Sequence, residues 1–124
     1  MAPSGYVPQR GDVVKVNFNP QAGHEQAGYR PALVLSPKEY NGKTSLAVVL
    51  AITSQAKGYP FEEPIPSGHV VTGVILSDQI RTVDWRARQA TFFCSLPMEV
   101  VESAFARFST LMPDLVIPDD SISE

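Results

Sequence analysis

At 124 residues the chain has room for one hydrophobic core and is too short for two ordinary domains. Its 44% apolar and 19% charged residues exclude wholesale disorder, and 11 prolines with 8 glycines favour short elements joined by turns over a helix bundle. The net charge of -3 excludes a uniformly basic surface, yet it is unevenly placed: six Lys or Arg meet three acids between Arg10 and Lys57, whereas four meet ten from Gly58 onward, four of those acids lying after Met112.

No apolar run approaches the roughly 20 residues that span a bilayer, and the start Met1-Ala-Pro-Ser-Gly-Tyr lacks the charged and apolar regions of a signal peptide. A cytoplasmic protein without membrane association is expected. Cys94 is the single cysteine, which rules out an internal disulfide and a multi-thiolate metal site, and it reads as a core thiol.

In chain order, Asp12 to Phe18 alternates, with Val14, Val16 and Phe18 on one side and Val13, Lys15 and Asn17 on the other, so a half-buried strand is expected. Pro20 to Pro31 has two glycines, polar groups and no periodicity, and reads as a long loop. Ala32-Leu-Val-Leu is apolar on both faces and predicts a central strand, followed by a turn through Pro37 and Asn41-Gly42. Leu46 to Ile52 predicts another buried strand, ending in the polar loop Thr53-Ser-Gln-Ala-Lys-Gly-Tyr-Pro. Val70 to Leu76 predicts a strand that continues through Asp78 to Trp85 with a bulge or bend, and Ala90 to Cys94 predicts the last. Val101, Ala104, Phe105, Phe108, Leu111 and Met112 then form a helical stripe, with Pro97 and Glu99 suited to the first turn and Pro113 as a stop. The expectation is a mainly β domain over residues 1–112, a strongly bent antiparallel sheet or partial barrel capped by one prominent C-terminal helix, with an acidic tail over 113–124.

The familiar catalytic kits are missing. His24 and His69 stand 45 positions apart with no ligand spacing, which argues against a metal site, and neither a phosphate-cradling glycine loop nor a serine elbow is present. The two histidines are either an acid-base pair or incidental surface residues. What remains is a pair of loops. Glu25-Gln-Ala-Gly-Tyr-Arg-Pro places a carboxylate and a guanidinium just before one buried strand, and Thr53-Ser-Gln places hydroxyls and an amide just after another. If the two strands are neighbours these groups converge, and a guanidinium there can engage a phosphate with two planar donors; the alternative is a surface ion pair.

The segments Gly11-Asp-Val-Val, Gly23-His-Glu-Gln-Ala-Gly-Tyr-Arg-Pro-Ala-Leu-Val-Leu-Ser, Thr53-Ser-Gln-Ala-Lys-Gly-Tyr-Pro-Phe and Asp78-Gln-Ile-Arg-Thr-Val-Asp-Trp-Arg-Ala-Arg resemble, in order, the MazF/PemK family of toxin endoribonucleases of type II toxin-antitoxin systems. The similarity runs from about Tyr6 to Met112. It implies an SH3-like barrel of the CcdB/PemK kind, a homodimer, a cognate antitoxin, and sequence-specific cleavage of single-stranded RNA without metal or cofactor, inhibiting translation and growth. By position, Arg30 matches the catalytic arginine, Thr53 the threonine at the scissile phosphate, and Glu25 an acidic group that accepts a proton or holds Arg30. Ser54 and Gln55, which follow that threonine, are candidate RNA-binding residues, Asp78 and Gln79 match base-reading positions, and Arg81, Arg86 and Arg88 lie where RNA-backbone contacts are useful, or are solvated rim charges. Phe18, Tyr29 and Tyr59 are stacking platforms or core. The implied chemistry is attack of the ribose 2'-hydroxyl on its own phosphate, giving a 2',3'-cyclic phosphate and a 5'-hydroxyl; the identity of the base stays open.

The dense Phe92-Phe93-Cys94 run and the acidic tail depart from the family pattern. The tail, with Leu115, Val116, Ile117 and Ile122 among acids, either covers the basic groove or is a solvated end. Two rival readings are a same-fold toxin that inhibits a protein such as DNA gyrase without catalysis, and an SH3-like adaptor. The first would have no use for a phosphate-facing arginine, and the second calls for an exposed aromatic groove.

Overall fold

The structure, a computed structural model, describes residues 5–20 and 22–115. Its elements are β1 (Asp12–Asn17), β2 (Tyr29–Val34), α1 (Lys38–Thr44), β3 (Leu46–Thr53), β4 (Glu62–Pro64), β5 (Val74–Asp84), β6 (Thr91–Ser95) and α2 (Met98–Ser109). The strands form one six-stranded sheet in the order β4-β5-β3-β2-β1-β6, and every neighbouring pair is antiparallel. The mainly β architecture with a C-terminal helix is the expected one, built on a sheet with two edges, β4 and β6.

Period-two alternation sorts the sheet into two cores. Val14, Val16 and Phe18 join Ala32, Val34, Val49 and Trp85 on one face, while Val13, Leu33, Leu50, Ile52 and Ile75 meet Val100, Val101 and Ala104 of α2 on the other. β1 is therefore covered on both sides where α2 packs: Val13 is fully buried, and the half-buried pattern survives only at Lys15 and Asn17. The tail from Val116 onward lies outside the described residues, and with it the proposed alternation of acids and apolar groups.

Four elements differ from the sequence reading. The turn expected at Pro37 to Gly42 is the short helix α1, fixed by Asn41, which is fully buried. The Asn41 amide donates to the carbonyls of Pro8 (2.8 Å) and Ser36 (3.1 Å) and accepts from the Ser36 hydroxyl (2.6 Å), while its backbone carbonyl accepts from the Trp85 indole (2.9 Å). A buried amide satisfied on all sides holds a helix that propensity alone would not. The three-residue strand β4 is too short to read as a pattern, and Val70 to Gly73 is a bent, irregular segment ahead of β5 rather than its first residues. The α2 stripe is only half used: Val101 and Ala104 are buried, but Phe105, Leu111 and Met112 stay exposed. Cys94 is half-buried against the second core, and that burial raises its thiol above the usual range.

The β5–β6 connection is held by the Asp84 carboxylate, which accepts from the Ala87 backbone N–H (3.0 Å) and the Ser45 hydroxyl (2.7 Å). Those bonds, the Ala87 one foremost, hold the Asp84 carboxyl below the ordinary carboxylate value. A folded value below the unfolded one, roughly 3.9, means the contribution is complete above that pH and disappears as pH falls through the folded value. The difference in unfolding midpoint between wild type and Asp84→Asn is thus expected to be constant near neutrality and to shrink below about pH 4, as denaturant titrations across pH will show.

Candidate functional site

Alternation and register bring the two polar loops together. β2 and β3 pair Ala32 with Ala51, and continuing that register by two residues sets Arg30 opposite Thr53 at the same end of the sheet. Both line a cleft of about 530 Å³ with His24, Gln26, Gln55, Lys57, Tyr59, Glu62, Leu76, Asp78 and Gln79. Of the groups expected to converge if these strands were neighbours, Arg30, Thr53 and Gln55 do so. Arg30 is exposed, and its Nε donates to the Ala27 carbonyl (2.9 Å), which orients the guanidinium. Thr53 is buried, and its Oγ1 accepts from the Gln55 backbone N–H (3.1 Å).

Asp78 and Gln79 reach this cleft because β5 breaks register. β3 pairs Leu50 with Ile80 but Ile52 with Ile75, so four residues of β5 bulge opposite one of β3. The expected bend is there and turns Asp78, exposed, and Gln79 toward the loops. Gln79 also latches the β1–β2 loop: its Oε1 accepts from the Gln26 backbone N–H (3.1 Å), and its Nε2 donates to the His24 carbonyl (3.3 Å).

The remaining expected site residues divide. Glu25 is exposed and is not among the groups lining the cleft, whereas its neighbour His24 is. Phe18 is corrected to core: it is 2% exposed and sits under the Arg81 guanidinium at 5.6 Å, leaving no ring face for a base. Tyr29 is half exposed, its hydroxyl bonded to Thr91 Oγ1 (2.7 Å) and the Gln89 carbonyl (3.1 Å). Arg81 donates to the Phe18 carbonyl (3.0 Å), and Arg88 to the carbonyls of Asn17 (2.9 Å) and Asn19 (2.6 Å). Both arginines therefore fasten the neck of the β1–β2 loop, while Arg86 is exposed and stacks at 4.2 Å on Trp85. Ser54 is exposed and lies beyond the main cleft. Tyr59, 58% exposed, lines the cleft and is not core.

Sequence reading missed Gln26, Lys57 and Glu62. Glu62 is buried, and its carboxylate accepts from the backbone N–H groups of Lys57 (2.9 Å) and Gly58 (2.9 Å), fixing the loop that carries Lys57 and Tyr59. From α2, Arg107 pins the same loop at the Pro60 carbonyl (2.6 Å) while pairing with Glu63 (2.6 Å). An acid in the run Phe-Glu-Glu-Pro carries no spacing signal; only the fold shows which of the two points inward. Among the described residues no group of three or more His, Cys, Asp or Glu could hold a metal ion, and no helix is long and apolar enough to cross a membrane.

Fold and cleft together define a small antiparallel-sheet domain that presents one guanidinium beside a buried hydroxyl at its rim. Residues 9–112 match the family described as PemK-like, MazF-like toxin of type II toxin-antitoxin system. The chain is 45% identical over 109 residues to the endoribonuclease toxin MazF of Escherichia coli strain K12, covering 88% of this chain and 97% of that protein. It is 37% identical over 89 residues to the endoribonuclease EndoA of Bacillus subtilis strain 168, covering 61% and 70%. The crystal structure of MazF from Deinococcus radiodurans superposes with a TM-score of 0.84 at 48% identity, covering 87% of this chain and 98% of that one. A MazE–MazF structure from the same organism gives 0.79 at 47% identity, covering 89% and 99%. The chain belongs to the PemK/MazF toxin family.

Proposed function

We propose that the chain is the toxin of a toxin-antitoxin pair and acts as an endoribonuclease on single-stranded RNA. The observation that carries this is the meeting of Arg30 and Thr53 at the mouth of a cleft also lined by His24, Asp78 and Gln79. Relatives named endoribonucleases cover nearly the whole domain, which favours cleavage over the gyrase-inhibitor alternative.

In this reading the ribose 2'-oxygen bonds to phosphorus as its proton passes to a base. The P–O5' bond then breaks and the 5'-oxygen takes a proton, leaving a 2',3'-cyclic phosphate. The nucleophile belongs to the RNA, so neither metal nor enzyme nucleophile is needed. Arg30 stabilises the charge that builds on the phosphorane, and the Thr53 hydroxyl holds a phosphate oxygen. Arginine is too weak an acid to serve readily as a base, and Glu25 stands outside the cleft, so proton transfer falls to His24 or Asp78. Tyr59 supplies a stacking face, and Gln55 and Asp78 supply edges for bases. Bridging two such clefts in a homodimer concentrates the basic half of a chain whose total charge is negative, and a cognate antitoxin blocks the groove by laying an acidic, apolar segment across it. The site of action is the cytoplasm.

The test is an oligonucleotide carrying 2'-deoxyribose only at the mapped cut position, beside its all-ribo counterpart, both in EDTA. The all-ribo RNA is expected to be cut to cyclic-phosphate ends, and the substituted one to bind without being cut. Cleavage of the substituted strand would overturn the mechanism.

A further inference from the structure

Arg30 and Thr53 line a second depression besides the main cleft. It measures about 240 Å³ and is walled by Lys15, Pro31, Ile52, Ser54, Val70 and Phe93 among others. By register the two depressions open on opposite faces of the sheet. Arg30 pairs with Val16 and shares the face of the first core, whereas Lys15 pairs with Pro31 on the face of Ile52 and Phe93, in the second. The rim where β2 begins and β3 ends is thus a saddle, with the guanidinium and the threonine hydroxyl on its crest.

The second depression suits an anion with an attached flat ring. Two cations and no carboxylate line it, whereas Glu62 and Asp78 lie in the main cleft. The Lys15 ammonium rests 4.4 Å from the Phe93 ring centroid, which orders the side chain without neutralising it. The single ion pair among the described residues joins Arg107 to Glu63. Val70, 71% exposed, and Pro31 offer apolar contact beside the charge, and the exposed Ser54 adds a hydroxyl.

We propose that this depression is a nucleotide subsite: an RNA strand crosses the saddle with the scissile phosphate on Arg30 and Thr53, and Lys15 takes the phosphate of the adjoining nucleotide, whose ribose and base rest against Val70 and Pro31. This deepens, and rests on, the ribonuclease reading above. Lys15 is a binding residue that fixes the strand's path and stays apart from the chemical step, because the phosphate it takes is the neighbouring one and not the scissile one, and such a contact sets register and orientation.

The decisive measurement is equilibrium binding by the full chain of the uncuttable oligonucleotide with 2'-deoxyribose at the cut position, together with two versions shortened to end at the nucleotide on the 5' or the 3' side of the cut. Lys15→Gln is expected to raise Kd for the long strand about five- to tenfold and to lower the slope of log Kd against log salt by about 0.7, one phosphate contact on a single strand. Lys15→Arg keeps wild-type binding, and Phe93→Leu reproduces part of the loss, both with thermal unfolding close to wild type. One shortened strand binds wild type and Lys15→Gln equally, which identifies the side of the cut that the depression holds. An unchanged Kd in Lys15→Gln, or an equal loss on both shortened strands, overturns the subsite. Failure of the ribonuclease reading shows separately, as an all-ribo strand that binds through Lys15 and is never cut.

Discussion

Arg30→Ala is expected to lower kcat on a mapped RNA substrate by about 10²- to 10³-fold, the scale seen when one donor to a developing oxyanion is removed. The guanidinium is exposed and makes one hydrogen bond of its own, from Nε to the Ala27 carbonyl, so its loss should leave the unfolding midpoint nearly unchanged. Arg30→Lys keeps the charge but replaces a rigid planar fork with a mobile point charge, and it too should lose most of kcat. The pattern to look for in single-turnover cleavage is a large fall in rate with RNA affinity reduced far less. Wild-type rates in both variants would move the chemistry away from the crest between the two depressions.

The second large effect is expected at Gly73, which no part of the sequence reading singled out. Its φ is +107°, and a β-carbon built there would lie 2.1 Å from the Thr53 carbonyl oxygen and 2.8 Å from the Ser54 α-carbon. Both obstacles are backbone, so no side chain can swing aside. The backbone conformation alone costs a non-glycine residue about 1 to 3 kcal/mol. Relief of the contact must come from pushing Thr53 and Ser54 out of register with Val74. Gly73→Ala should therefore unfold at a temperature lower by on the order of 10 °C, since about 1 kcal/mol moves a domain of this size by roughly 4 °C. Well below that temperature, where the variant is folded, cleavage should still be reduced at least tenfold, because the Thr53 hydroxyl proposed to hold the scissile phosphate has moved. A Gly73→Ala protein with wild-type melting and wild-type cleavage would show that the rim is not held by this contact.

Much of this protein is legible in one dimension because the periodicities are local. Alternation at Val14, Val16 and Phe18 assigns a face, the apolar runs Ala32–Leu35 and Leu46–Ile52 mark strands buried on both sides, and the broken alternation around Asp78 marks a bend. Arg30 and Thr53 stood out as polar groups at the ends of those two runs, and the family resemblance gave them roles. Phe18 illustrates the limit in the other direction: an aromatic beside a loop reads equally well as platform or core, and only the Arg81 and Trp85 side chains packed in the same region decide for core.

The sequence by itself determined that a mainly β fold would form and that a helix would follow the last strand, and it marked two polar loops as candidates for the site. These follow from spacing along the chain. What only the tertiary structure decided depends on residues brought together from afar. Asn41 makes a helix where a turn was expected because its amide is satisfied by Pro8 and Ser36, and its carbonyl by Trp85. Gln79, Arg81 and Arg88 spend their hydrogen bonds fastening a loop more than 50 residues earlier in the chain. Glu62 shapes the loop that carries Lys57 and Tyr59, since burial and two backbone N–H groups select one acid among many. Lys15, a single polar position in an alternating strand, gains its place at the second depression only when β6 sets Phe93 beside it. Register across the sheet, which no local pattern encodes, turns these separate side chains into one site.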